Sequence, residues 1–97
     1  MPKAYVVGQV NFKDTAAYKE EYAVNVPVTI EKYGGKYIIR GGEMTQIEGN
    51  LECERVVVIE FPDKKAATTW YNSPEYQAII GGRQRNAETV LTIIEGI

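Results

Sequence analysis

Three stretches of this 97-residue chain are rich in β-forming residues and apolar on both faces, which limits the folds open to it. They occupy residues 4–10, 55–61 and 89–95, and a shorter run at residues 36–40 predicts one more strand. A strand that is apolar on both faces is buried on both sides of its sheet. The fold therefore needs a covering layer on each face of the sheet.

Helical patterns fill the gap between the first two strands. The apolar residues of this segment recur at steps of four, on one stripe of a helix over residues 15–33 capped by Asp14. They are Tyr18, Tyr22, Val26 and Ile30. Pro27 interrupts the pattern, which predicts a kink or two helices in series with Asn25 capping the second. Either the helix simply curves over the sheet, or the bend aims Asn25 into a cavity.

The second half of the chain predicts a helix in two pieces before the last strand. The first piece covers residues 64–72, and Ser73 caps a second piece that begins with Pro74. Trp70 is expected in the core or a dimer interface rather than against a ligand. Residues 43–53 predict a hairpin-like excursion or a long loop.

The resulting order, βαββαβ with a split second helix, is the ferredoxin-like plan, an α+β fold. One such domain would span residues 1–97. In this plan both helical segments cover one face of an antiparallel sheet. The rest of the chain is too short to cover the other face, so we expect a second copy to do so, in a two-fold homodimer through the sheet face.

Composition excludes several functions. A formal net charge of −2 without a concentrated basic patch argues against nucleic acid as a partner. The chain has no histidine, which removes the usual general base near neutral pH and ordinary zinc and iron sites, so we expect no metal and no bound cofactor. No apolar stretch predicts a membrane segment, and the single cysteine, Cys53, is typical of a cytoplasmic protein.

Several short pieces of the sequence, taken in order, also resemble those of a known family. The chain is similar to the domain-of-unknown-function family 1330, within the dimeric α/β-barrel superfamily. The pieces are Ala17-Tyr18, Tyr33-Gly34-Gly35, Arg40-Gly41-Gly42, Val58-Ile59-Glu60-Phe61-Pro62, Trp70-Tyr71, Ser73-Pro74-Glu75-Tyr76 and Arg83. The resemblance implies a ferredoxin-like subunit whose sheets pair into a barrel, and no settled activity. Superfamily members include lactone isomerases, cofactor-free oxygenases and haem-degrading enzymes, several of which rely on histidine.

A group of arginines, tyrosines and one carboxylate forms the candidate site. Arg40 and Glu60 stand near strand ends, and the split helix should pack beside those ends. It contributes Tyr71, Tyr76 and Arg83. Arginine clamps and tyrosine hydroxyls would hold a small carboxylate or phenolate, and Glu60 would act as a base if burial raised its pKa. Asn25 joins the group if the bend aims it inwards.

Two classes of function remain open. The first is a cofactor-free enzyme or binder of a small aromatic or carboxylate metabolite in a cleft between sheet and helices. The second is a structural or binding homodimer without chemistry, in which Arg40 or Arg83 pairs with Glu60 and the tyrosines fill the core. The sequence does not name a substrate or a reaction.

Overall fold

The structure is a computed structural model that describes residues 2–97, and it has the predicted ferredoxin-like order of elements. The strands are β1 (Ala4–Phe12), β2 (Lys36–Arg40), β3 (Arg55–Phe61) and β4 (Ala87–Glu95). The helices are α1 (Thr15–Glu21), α2 (Val26–Lys32), α3 (Lys64–Tyr71) and α4 (Pro74–Asn86). A 3-10 turn, Ala23–Asn25, joins α1 to α2.

The four strands form one antiparallel sheet in the order β2-β3-β1-β4, which confirms the predicted fold class. Side chains alternate between the two faces of a strand, and every second residue of β1 from Ala4 to Val10 is buried. These residues face the helices. We call this side of the sheet the helix face and the opposite side the outer face.

The predicted break at Pro27 divides the first helical segment into two helices in series. Pro27 lies in the first turn of α2, where its missing N–H removes no helical hydrogen bond. The predicted apolar stripe packs inwards: Tyr18, Tyr22, Val26 and Ile30 are all buried. Asn25 occupies the N-cap position of α2, but its side chain makes no capping hydrogen bond and is exposed.

Two strands, β1 and β4, extend further than their sequences predict. Asn11 and Phe12, which lie beyond the strand predicted at residues 4–10, continue β1 and pair with Glu88 and Ala87 of β4. The loop over residues 41–54 contains no strand, and it is tied to β1 where the Glu54 amide donates to the Val10 carbonyl at 3.0 Å. The excursion predicted at residues 43–53 is therefore a long loop.

The core lies between the helix face and the helices. Trp70 and Tyr76 are both 0% exposed, and Trp70 Nε1 donates a hydrogen bond to Thr29 Oγ1 at 3.0 Å. Within residues 2–97 no further layer covers the outer face. Val90 and Ile94 of β4 remain 61% and 51% exposed there.

Candidate functional site

A cavity opens between the helix face of the sheet and helices α1, α3 and α4. Its volume is ≈ 30 Å³, and the empty space around it, including the part open to solvent, is ≈ 480 Å³. The inner space is enough for about two water molecules. The molecule that fits here would place a small polar group inside and the rest of its body towards solvent.

Three of the four arginines in the chain line this cavity. Arg55 begins β3 opposite Val10, and Arg40 ends β2 opposite Val57, so both point from the helix face. Arg83 enters from α4. The remaining arginine, Arg85, lies outside the cavity and bonds Glu21 at 2.7 Å. No carboxylate lines the cavity among residues 2–97, so its three cations have no counter-charge there.

The buried side-chain polar atoms that lack a hydrogen-bond partner gather at the same place. Within residues 2–97 they are Arg55 Nε, Arg83 Nε and Thr89 Oγ1, and all three residues line the cavity. An unsatisfied buried polar group costs about 1–3 kcal/mol, and more when it is charged. Because Arg83 is only 7% exposed, water can do little to hydrate its unpartnered Nε. The cavity therefore presents hydrogen-bond donors that require an acceptor.

Tyrosines complete the polar lining. Burial raises the pKa of Tyr22 and raises that of Tyr37 to about 12. Burial also raises the pKa of Tyr18, although the positive charges of Arg55, Arg83 and Arg40 oppose this rise. These phenols therefore stay protonated at neutral pH and can donate hydrogen bonds to an anion.

Aromatic rings hold two of the guanidinium groups in position. Arg40 Cζ lies 4.5 Å from the centre of the Tyr37 ring, and its Nη2 donates to the Ala23 carbonyl at 3.1 Å. Arg83 Cζ lies 5.8 Å from the centre of the Tyr22 ring. Such contacts orient a guanidinium without neutralising it. Since Arg40 is exposed and Arg83 is buried, the cavity runs inwards from Arg40 to Arg83.

Gly8 provides the floor of the cavity at the centre of β1. Its neighbours on the helix face are Val6 and Val10, so a gap in the row of side chains occurs at this position. A β-carbon added to Gly8 would lie 3.3 Å from Leu91 Cδ1. Glycine within a strand weakens it and often marks a close approach of another group. Here its missing side chain leaves the space open.

The structure brings together some of the predicted site residues. Arg40 and Arg83 line the same cavity. Tyr76 lies behind it, fully buried, with its hydroxyl 2.7 Å from that of Tyr22. Tyr71 lines an adjacent cleft, and its ring centre is 5.6 Å from that of Tyr76. Asn25 does not line the cavity, so the structure supports the simpler interpretation of the bend.

Glu60 lies apart from the two arginines, on the outer face. There it pairs with Lys3 at 3.0 Å and with Lys36 at 3.4 Å. The hydrogen bond from Lys3, with the charges of both lysines, lowers the pKa of Glu60 rather than raising it. The expected grouping of Glu60 with Arg40 and Arg83 was wrong, and so was the alternative in which one of these arginines pairs with Glu60.

A bulge in β2 explains why Arg40 and Glu60 separate. Simple alternation would place Arg40 on the same face as Lys36, which pairs in register with Glu60. The register shifts between Tyr37 and Ile39, so Tyr37 and Arg40 share the helix face instead. An extra residue in a strand moves all later side chains to the other face.

Sequence reasoning missed several cavity residues. They are Tyr18, Tyr22, Tyr37, Arg55 and Thr89. The sequence of β3 is apolar on both faces. Its pattern therefore does not show which face of the sheet Arg55, the first residue of the strand, lies on. Its alternation with Val57, Ile59 and Phe61 contained the usable signal, because the bulky Phe61 belongs in the core.

Metal clusters and membrane-spanning helices are both absent from residues 2–97. No three histidine, cysteine, aspartate or glutamate side chains gather in an arrangement that could hold a metal ion. No helix in this part of the chain is both long and apolar enough to cross a membrane.

The fold defines the class of protein. With a four-stranded antiparallel sheet and helices on one face, it is a ferredoxin-like α+β domain. The chain belongs to a family described as a domain of unknown function, DUF1330, whose model matches residues 3–97. A search of curated proteins finds no match.

Solved structures show the same fold at low sequence identity. A protein of unknown function from Rhodopseudomonas palustris is 18% identical, with a TM-score of 0.79 over 99% of this chain and 83% of that one. SnoaB, a cofactor-independent oxygenase from Streptomyces nogalater, is 9% identical, with a TM-score of 0.66 over 100% and 95%. A DABB family protein with a ferredoxin-like fold from Mesorhizobium loti is 16% identical, with a TM-score of 0.61 over 100% and 97%.

Proposed function

We propose that this protein binds a small organic anion, a carboxylate or a phenolate, in the cavity between the sheet and the helices. One observation carries the proposal. Three guanidinium groups without a counter-charge, together with every buried unpartnered side-chain polar atom of residues 2–97, line a single cavity. Buried charges in proteins are normally paired, because an isolated one is costly.

The proposed binding mode follows from the donors in the cavity. Arg55 and Arg83 line the cavity and each have a buried Nε–H without a partner, and Thr89 in the same lining has a buried hydroxyl without one. A carboxylate accepts several such hydrogen bonds, and those from charged donors are the stronger ones. The body of the ligand would extend past the Tyr37 ring towards Arg40 and solvent. An aromatic or short aliphatic body suits this path, because the lining is otherwise largely apolar.

Catalysis without a bound cofactor is the second candidate function within the same site. The guanidinium groups would stabilise an oxyanion that develops on an aromatic or keto-acid substrate. The fold shared with a cofactor-independent oxygenase is compatible with this candidate. The described lining offers no carboxylate, thiol or imidazole as a base, which favours binding over proton transfer. Following a bound compound by NMR over time would separate the two, because a binder leaves it unchanged.

A thermal-shift screen with small carboxylates, phenols and phosphate tests the proposed site, since a ligand that binds the folded state raises its Tm. A true ligand should stabilise the wild type and lose most of this effect in Arg55→Gln. Arg85→Gln is the matched control, because it removes the same charge from a residue outside the cavity. Stabilisation that persists in Arg55→Gln, or no stabilising anion at all, would refute the proposal.

We also propose that the protein is a homodimer through the outer face. On the outer face the two edge strands expose Ile39, Val90 and Ile94, which no other part of residues 2–97 covers, and a second copy of the sheet would bury them. Sedimentation should show a dimer that Ile94→Glu dissociates. A monomeric wild type would contradict the dimer. A dimer that binds no anion would favour the purely structural function.

A cytoplasmic location, expected from the single Cys53, remains part of the proposal.

A further inference from the structure

The cavity carries more positive charge than a single carboxylate neutralises. Its described lining holds three guanidinium groups and no acidic side chain. The four ion pairs of residues 2–97 use other cations, namely Lys3, Lys32, Lys36 and Arg85. Arginine remains protonated at any physiological pH. A ligand with one negative charge would therefore leave two of the three cations without an opposite charge.

The positive charges are also divided between two places. Arg83 is buried, and Arg55 has its Nε buried, so solvent reaches these two donors poorly. Arg40 is exposed at the solvent side, where the Tyr37 ring and the Ala23 carbonyl hold it in place. One anionic group would satisfy the buried donors of Arg55 and Arg83. A second anionic group at the mouth would meet Arg40.

We infer that the ligand is a small dicarboxylate, with one carboxylate between Arg55 and Arg83 and the other at Arg40. This inference rests on the proposed function. A single doubly charged group such as phosphate is the alternative dianion. The separation of the exposed Arg40 from the buried donors of Arg55 and Arg83 favours two carboxylates over one doubly charged group. Arg40 is then the residue that determines specificity, because it alone contacts the second carboxylate.

Calorimetric titrations with matched pairs of acids test the inference. Propanoate and malonate, butyrate and succinate, and benzoate and terephthalate differ within each pair by one carboxylate. At neutral pH and constant ionic strength, the dicarboxylate of at least one pair should bind about tenfold or more tightly than its partner, the effect of one charge-assisted hydrogen bond. Inorganic phosphate is titrated alongside them.

Two variants locate the second charge. Arg40→Gln should bring the two affinities of the pair within about twofold, a difference of about 0.4 kcal/mol, because the second carboxylate then has no cation at the mouth of the cavity. This variant should fold, since Arg40 is exposed. Arg85→Gln should keep the full preference, since Arg85 lies outside the cavity. A preference that survives in Arg40→Gln would overturn the assignment of the second carboxylate to Arg40.

The remaining outcomes separate this inference from the proposed function. If the monocarboxylates bind as tightly as the dicarboxylates, the cavity is an anion site but the dicarboxylate inference is wrong. The same holds if phosphate binds more tightly than any dicarboxylate, or if only a phenol from the screen binds. If no anion binds in either experiment, both the inference and the proposed function fail.

Discussion

Two adjacent glycines in α4 should respond in opposite directions to the same substitution. A β-carbon at Gly82 would lie 2.8 Å from both the Cβ and the carbonyl oxygen of Glu21, so α1 and α4 approach closely at this point. A β-carbon at Gly81 would meet only the Nη1 of Arg85, also at 2.8 Å. That group is the end of a flexible, exposed side chain and can move away, whereas the backbone of α1 cannot.

The expected magnitudes follow from these contacts. Alanine within a helix is favoured over glycine by about 0.8–1 kcal/mol, and both substitutions share this gain. At Gly81 the gain is reduced by up to about 1 kcal/mol if the exposed Arg85–Glu21 pair is disturbed. At Gly82 overpacking costs about 1–3 kcal/mol. Gly81→Ala should therefore be neutral to stabilising, and Gly82→Ala should be destabilising by up to about 2 kcal/mol.

Thermal and urea unfolding of both variants would measure the difference. In a domain of this size each kcal/mol corresponds to about 4–8 °C in Tm. Anion binding should weaken in Gly82→Ala as well, because the packing of α1 on α4 holds the Tyr22 ring, at the end of α1, 5.8 Å from Arg83 Cζ. A Gly82→Ala protein as stable as Gly81→Ala would show that the helices do not approach as closely as described.

Three further changes test other parts of the structure. Gly8→Val should fill the floor of the cavity, so titration should show lost anion binding while circular dichroism shows a retained fold. Thr29→Val should lower the free energy of unfolding by about 1–3 kcal/mol in urea titrations, because Trp70 Nε1 loses its acceptor; an unchanged value would contradict this. The lysine partners lower the pKa of Glu60, so its stabilisation is present above its usual value of 4.5 and is lost as the pH falls through the lowered value. Glu60→Gln should therefore be less stable at neutral pH and lose less stability on acidification, and parallel pH profiles would refute this.

The fold was largely predictable because local signals agree with one another. The four-residue spacing from Tyr18 to Ile30 predicts the buried stripe, and Pro27 predicts the break. Strand order follows from the sequence of elements, since few topologies satisfy it. The helix stripe and the break depend on neighbouring residues, and the strand order depends on the order of the elements, both of which the sequence shows directly.

The site was less predictable because it depends on which face each strand residue takes. One bulge in β2 moves Arg40 to the helix face and away from Glu60. Arg55 begins its strand, where the pattern is too short to assign a face. Gly8 contributes by having no side chain. The space that this leaves exists only once β1 pairs with β3 and β4, which places Gly8 between Val57 and Leu91. Such features arise from tertiary pairing and carry no local signature.

A crystal structure of the wild-type protein with its tightest-binding carboxylate tests the central claim most directly. A carboxylate should lie in the cavity with its oxygens about 2.7–3.2 Å from Arg55 Nε and Arg83 Nε, the two buried guanidinium nitrogens of residues 2–97 that lack a hydrogen-bond partner. A carboxylate bound elsewhere, such as beside Lys3 and Lys36 on the outer face, would contradict it.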